Sequence, residues 1–235
     1  TWDKPKDVRL LLGNPELLSL ALRYVERLVS SPYAVRYLGW RRMLVHGSPA
    51  RLPSPWGWKD PRIVWLLPFW KELFPGMKVV HVTRHGVDVA RSLVSRHRAL
   101  VKHAEGRMTN DPAAFVRSWW RIRRSPGFVD TAKCITLDEG LALWEEYLGE
   151  AAAQAPLLGD SFLEVRYEEL LTNPGDIARD LLRFCGLESP IGDGSRLTRK
   201  FDPNRAFAFR KNADLLAFAR RNAPRLTAHG YAVEG

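Results

Sequence analysis

At 235 residues, with 46% apolar and 26% charged content, the chain can bury one sizeable core and has the composition of an ordinary globular protein. Its 36 Lys and Arg against 26 Asp and Glu give a net charge of +10, which favours anionic partners: a nucleotide, a sulfated or acidic acceptor, nucleic acid or a membrane face. No apolar run reaches bilayer-spanning length, and no charged stretch followed by an apolar core opens the chain.

The basic residues are scattered as Arg41-Arg42, Arg121 to Arg124 and Arg220-Arg221, without interleaved exposed aromatics. That pattern favours solvated helix faces over a nucleic-acid patch. The two cysteines, Cys134 and Cys185, show no metal-ligand spacing, so no metal is expected. Cys185 falls on the apolar face of an expected helix, where a buried free thiol is anticipated. Free thiols fit a reducing compartment and a cytoplasmic location, although a single disulfide stays open.

Asn14-Pro15-Glu16 reads as a helix start, with Asn as N-cap and Pro at the first helical position. Leu17, Leu20, Ala21, Tyr24, Val25 and Leu28 then recur at helical spacing, and residues 33–45 suggest a second, shorter helix. A helix is expected over Ile63 to Phe74, ended by Pro75-Gly76. Met77 to Thr83 is a β-branched run that suits a buried strand of a parallel sheet. The next helix carries Asp88 near its positive end.

Asp111-Pro112 opens another expected helix, with Phe115, Trp119 and Ile122 on one face. Leu141 to Ala153 is a further helix, and Ser161 to Arg166 a second strand, followed by Tyr167. Asn173-Pro174 starts a helix that turns Ile177, Leu181 and Phe184 inward, with Gly186 as its C-cap. Residues 188–212 read as a polar, basic loop. Ala213 to Asn222 reads as the last helix, stopped by Pro224. Alternating strands and helices predict an α/β fold, a single domain over residues 1–235 with a parallel sheet flanked by helices. Ligands of such sheets bind beyond the carboxyl ends of the strands, where Arg84 and Tyr167 fall.

Arg84 leaves the first strand, and Ser92 follows it by eight residues on the next helix. An arginine fork gives bidentate, charge-assisted bonds to a phosphate, and a serine hydroxyl adds one donor. The competing reading pairs Arg84 with Asp88 as a structural ion pair and leaves Ser92 as a small helix residue. Upstream stands WGWKDPR, from Trp56 to Arg62; downstream stands FLEVRYEELLTNPGDIARDLLRFCGL, from Phe162 to Leu187.

Together these three segments resemble the sulfotransferase family, whose members use 3′-phosphoadenosine 5′-phosphosulfate (PAPS) and release 3′-phosphoadenosine 5′-phosphate (PAP). The Lys-Asp-Pro segment looks like that of bacterial and tyrosylprotein-type members. The resemblance runs from about Trp56 to Leu187, with a weaker echo from Asn204 to Tyr231. It implies a P-loop NTPase-like sheet. It assigns Arg84 and Ser92 to the 3′-phosphate, Tyr167 to the adenine, and Arg210 and Lys211 to a basic segment closing over the 3′-phosphate. Lys59 is implied as the catalytic lysine that neutralises charge on the bridging oxygen. Arg62 is read as pairing with a carboxylate.

The family's glycine-rich phosphosulfate loop does not occur here; Gly13-Asn14-Pro15-Glu16 lacks its basic residue and Ser/Thr pair. The first strand and that loop are therefore expected upstream of Thr1, and the chain as given is expected to bind cofactor poorly. Candidates for the general base are His46, His85 and Glu16, while His81 reads as packed on a strand face. Trp56, Trp58, Trp119 and Trp120 are candidates for an acceptor cleft or for an aromatic core. The acceptor is a hydroxyl or amine whose identity the sequence does not specify. The alternatives are a non-catalytic anion- or nucleotide-binding protein, and a P-loop kinase-like enzyme, which would need a Walker lysine loop and a magnesium carboxylate.

Overall fold

The computed structural model describes residues 10, 12–53, 55–110, 133–187 and 201–233. The chain groups into two compact units, Thr1–Met77 and Lys78–Gly235. The helix expected from Asp111, the tryptophans Trp119 and Trp120, and most of the 188–212 loop lie outside the described residues.

In the first unit, α1 spans Pro15–Val29, and its Asn14 cap accepts from the Glu16 and Leu17 amides, each at 3.1 Å. The second helix is split. A 3-10 turn at Pro32–Ala34 leads into α2 (Val35–Leu38), Gly39 breaks the path at φ 75°, and α3 follows at Trp40–His46. The helix expected from Ile63 is also divided. Pro61–Leu66 forms a 3-10 turn, and only Leu67–Leu73 is α-helical (α4). Pro68 explains the division, since it has no amide to donate to the carbonyl four residues back. Trp56, Trp58, Trp70 and Phe74 pack edge-on or stacked, with ring centroids 4.7–6.3 Å apart.

The second unit is built on a two-stranded parallel sheet. Strand β1 (Val79–Thr83) pairs with β2 (Phe162–Arg166) in register from Val79↔Phe162 to Thr83↔Arg166. Helices α5 (Gly86–Asn110) and α6 (Leu137–Leu158) come between them in the chain. Strand β1 is not the fully buried strand expected: Val82 is 54% exposed, because no described residue covers that face. Thr136 and Glu139 form a reciprocal capping box that starts α6 earlier than its apolar pattern implied.

Beyond β2 follow α7 (Tyr167–Thr172) and α8 (Pro174–Cys185), the latter closed by Gly186 in the left-handed conformation. Cys185 is half-buried rather than buried, and Cys134 is the buried thiol; neither forms a disulfide. Helix α9 (Ala213–Arg221) is followed by α10 (Ala223–Thr227). Pro224 therefore does not stop the helical path. It occupies the first turn of α10, where its missing amide would be unpaired anyway.

The core of this unit joins Val87 and Ala90 of α5, Leu141 and Trp144 of α6, and Phe209, Leu215, Phe218, Leu226 and Tyr231 from the C-terminal part. Helices α5 and α6 meet closely: a Cβ on Gly140 would lie 2.9 Å from the Ala90 Cα. The α/β class thus stands in its coarse form, mostly helical with a small parallel sheet.

Candidate functional site

Both strands of the second unit end at the same edge, and their last paired residues are Thr83 and Arg166. Arg84 and Tyr167 come next in the chain, so the parallel register places them side by side at the carboxyl end of the sheet. The Arg84 guanidinium lies over the Tyr167 ring, 4.9 Å from its centroid. The Trp144 indole donates to the Arg84 carbonyl at 2.9 Å, pinning the strand exit to α6.

Asp88, only 3% exposed, works in two directions. Its Oδ2 lies 3.4 Å from the Arg84 guanidinium and accepts from the Ala208 amide at 3.0 Å. The Arg84–Asp88 ion pair weighed in the sequence is therefore present. It does not saturate the arginine. A second bond runs to the Arg205 carbonyl at 3.2 Å, and the buried Arg84 Nε has no hydrogen-bond partner among the described residues. Ser92 is half-buried on α5, one helical turn beyond Asp88 and on the same face.

The segment 201–211 lies against this edge through the Arg205 and Ala208 backbone contacts. Phe207 adopts φ 48°, a left-handed conformation that is costly for a bulky residue, immediately before the Ala208 amide that Asp88 holds. The Arg210 guanidinium stacks 4.3 Å from the Phe207 ring centroid. Lys211 donates to the Asn204 carbonyl at 3.1 Å and to its side-chain oxygen at 3.3 Å.

His85 is no exposed base. It is fully buried, stacked 4.1 Å from the Phe209 ring centroid, and its Nδ1 accepts from the Val87 amide at 3.3 Å. Burial lowers its pKa to about 4, the nearby Arg210 and Arg84 charges push the same way, and the Ala232 backbone opposes them. The sequence reading did not single out Glu168, which is 3% exposed and accepts the His85 amide through Oε1 at 2.9 Å. Its signal was faint: an acidic residue two positions past a strand, in the first turn of a helix. Burial pushes its carboxyl above the usual carboxylate range. The His85 amide, its own amide and Arg84 pull it back, while Asp88 adds to the rise.

In the first unit, Lys59 is exposed in the extended segment that precedes Asp60. Asp60 caps the 3-10 turn and forks Arg62, with Nη2 to Oδ2 at 2.6 Å, which matches the carboxylate pairing read for Arg62. His46 is half-buried and Glu16 exposed. Among the described residues, no group of three or more His, Cys, Asp or Glu could hold a metal ion, and no helix is long and apolar enough to cross a membrane.

This edge offers an anion a guanidinium on an aromatic face, a hydroxyl one turn beyond the arginine's partner, and a basic segment packed alongside. The comparisons with known proteins agree with that chemistry. The family model described as "Sulfotransferase family" matches residues 18–190. No curated protein and no solved structure gave a match. The matched span is well over half of the chain and contains Lys59, Arg84, Ser92 and Tyr167, and the chain belongs to the sulfotransferase family.

Proposed function

We propose that the protein moves a sulfuryl group from PAPS to a hydroxyl or amine acceptor, releasing PAP. The observation that carries this reading is the Arg84 guanidinium at the strand exit, stacked on Tyr167, with a buried Nε that has no hydrogen-bond partner among the described residues. A bidentate guanidinium is the donor that a phosphate dianion selects. The donor set thus fits the 3′-phosphate end of the nucleotide. Arg84 and Ser92 would bind that phosphate, Tyr167 would face the adenine, and Arg210 and Lys211 would add positive charge from the 201–211 segment.

In the reaction the bond between sulfur and the bridging oxygen breaks, a bond from sulfur to the acceptor forms, and the acceptor gives up a proton. Negative charge builds on the bridging oxygen, and a cation held there lowers the barrier. Lys59 is the residue proposed for that task, on the strength of its Lys-Asp-Pro motif. The same reading takes β1 and β2 as two strands of a P-loop NTPase-like sheet.

Calorimetry of PAP binding to the full-length protein tests the proposal. Replacing a charged hydrogen-bond donor costs about 1.5–3 kcal/mol, so Arg84→Ala should weaken PAP about 10- to 150-fold. Binding unchanged by Arg84→Ala would overturn the reading. Lys59→Ala should abolish turnover while keeping PAP affinity.

A further inference from the structure

We infer that Glu168 is a positioning residue for nucleotide capture, its side-chain oxygen setting the spacing between Arg84 and Tyr167. The inference rests on the reading of those two residues as nucleotide ligands.

The parallel ladder ends at Thr83↔Arg166. Past that pair the two backbones separate, because α7 begins at Tyr167 and α5 at Gly86. Among the described residues the ladder has no further backbone rung to hold the strand exits together. Glu168 supplies the missing cross-link: its Oε1 accepts the His85 amide at 2.9 Å. The bond joins the residue after Arg84 to the residue after Tyr167. It is therefore one peptide unit away from each proposed ligand, at the point where a backbone shift would displace the guanidinium from the ring.

A buried carboxylate is an expensive way to make one hydrogen bond. Glutamate is rarely fully buried, and taking its charge out of water costs several kcal/mol before hydrogen bonds return part of it. Burial accordingly pushes the Glu168 carboxyl upward, and its Oε2 has no hydrogen-bond partner among the described residues. Oε1 can accept the amide whether the carboxyl is ionised or protonated. The position of that oxygen, rather than its charge, is what the site uses.

Position and charge are separable. Glu168→Gln keeps an oxygen at the same reach and removes the charge. Glu168→Asp keeps the charge and retracts the oxygen by one methylene. PAP binding to the full-length protein is measured by calorimetry, which reports affinity and the competent fraction separately. Glu168→Gln should bind within about threefold of wild type, whereas Glu168→Asp should weaken binding about tenfold or more, as expected for a small misplacement of ligating groups. The competent fraction should stay near that of wild type. In an Arg84→Ala background the Glu168→Asp penalty should vanish, because it acts through Arg84. Should Glu168→Asp fail to fold, Glu168→Met fills a similar volume without an acceptor and should show the same weakening.

A reversed pattern, with Glu168→Asp tight and Glu168→Gln weak, would overturn the inference and leave the nucleotide reading intact. So would a full penalty persisting without Arg84, or a fall in competent fraction at unchanged affinity. Failure of the wild-type protein to bind PAP would instead overturn the nucleotide reading, and this inference with it.

Discussion

The Arg84 guanidinium lies 4.9 Å from the centroid of the Tyr167 ring. The aromatic face packs against the guanidinium plane and leaves its N–H edge to other partners: Nη2 meets the Asp88 carboxylate and the Arg205 carbonyl, and Nε has no hydrogen-bond partner among the described residues. A cation–π contact contributes about 0.5–2 kcal/mol depending on its desolvation. Tyr167→Ala should therefore weaken PAP about 2- to 30-fold, while Tyr167→Phe, which keeps the face, should remain close to wild type. Equal losses in both variants, measured by calorimetry, would show that the hydroxyl matters and not the ring face.

The parts of this arrangement that are local in sequence were legible. The Asn14 cap, the β-branched run ending at Thr83, and the Asn173-Pro174 start with its Gly186 stop depend on neighbouring residues, and each appears in the structure. Arg84 and its ion pair with Asp88 were readable for the same reason, being one helical turn apart. The division at Pro68 and the restart at Pro224 were misread, because a proline near a helix start and one near a helix end look alike until the chain path is known. Glu168 was barely legible. Its partner is 83 residues away, and only the strand register brings the two together.

Gly86 opens α5 two residues after Arg84, and it has no room for a side chain. A Cβ there would meet the Leu141 Cδ1 at 2.7 Å and the Trp144 Cε3 at 2.9 Å. Both neighbours are core residues with little freedom to yield. Overpacking of this kind costs about 1–3 kcal/mol, so Gly86→Ala should lower the urea midpoint despite alanine's better helix propensity. A midpoint equal to or above that of wild type would mean that the contact between α5 and α6 is looser than the geometry implies.

Asp88 joins Arg84 to the 201–211 segment, and removing it should release both. Asp88→Ala leaves the Ala208 amide and part of the Arg84 guanidinium without an acceptor. The Arg84 side chain is 25% exposed, which softens the penalty, and a loss of about 1–3 kcal/mol is expected. Asp88→Asn retains an oxygen for the Ala208 amide and should lose less. Limited proteolysis gives an independent readout. Cleavage within 201–211 should accelerate in Asp88→Ala and change little in Asp88→Asn; equal rates would remove Asp88 as the tether.

His85 makes stability depend on pH in a direction its burial fixes. In the fold its pKa is lowered to about 4, whereas in the unfolded chain it titrates near its ordinary value of 6.5. Between those values the unfolded state binds more protons than the folded state, so stability falls as pH falls. The contribution is fully present above about pH 6.5 and is lost by about pH 4, amounting to about 3 kcal/mol across the window. Glu168 acts oppositely, because its raised pKa makes protonation favour the fold as pH drops. The His85 share is therefore read as a difference between wild type and His85→Phe, which keeps a ring against Phe209 but cannot titrate. Loss of the bond to the Val87 amide adds a constant offset to that variant. In urea melts the wild-type advantage should hold from pH 7.5 to about pH 6.5 and shrink from there to pH 4. A difference that stays flat over this range would mean that His85 titrates in the fold as it does in the unfolded chain.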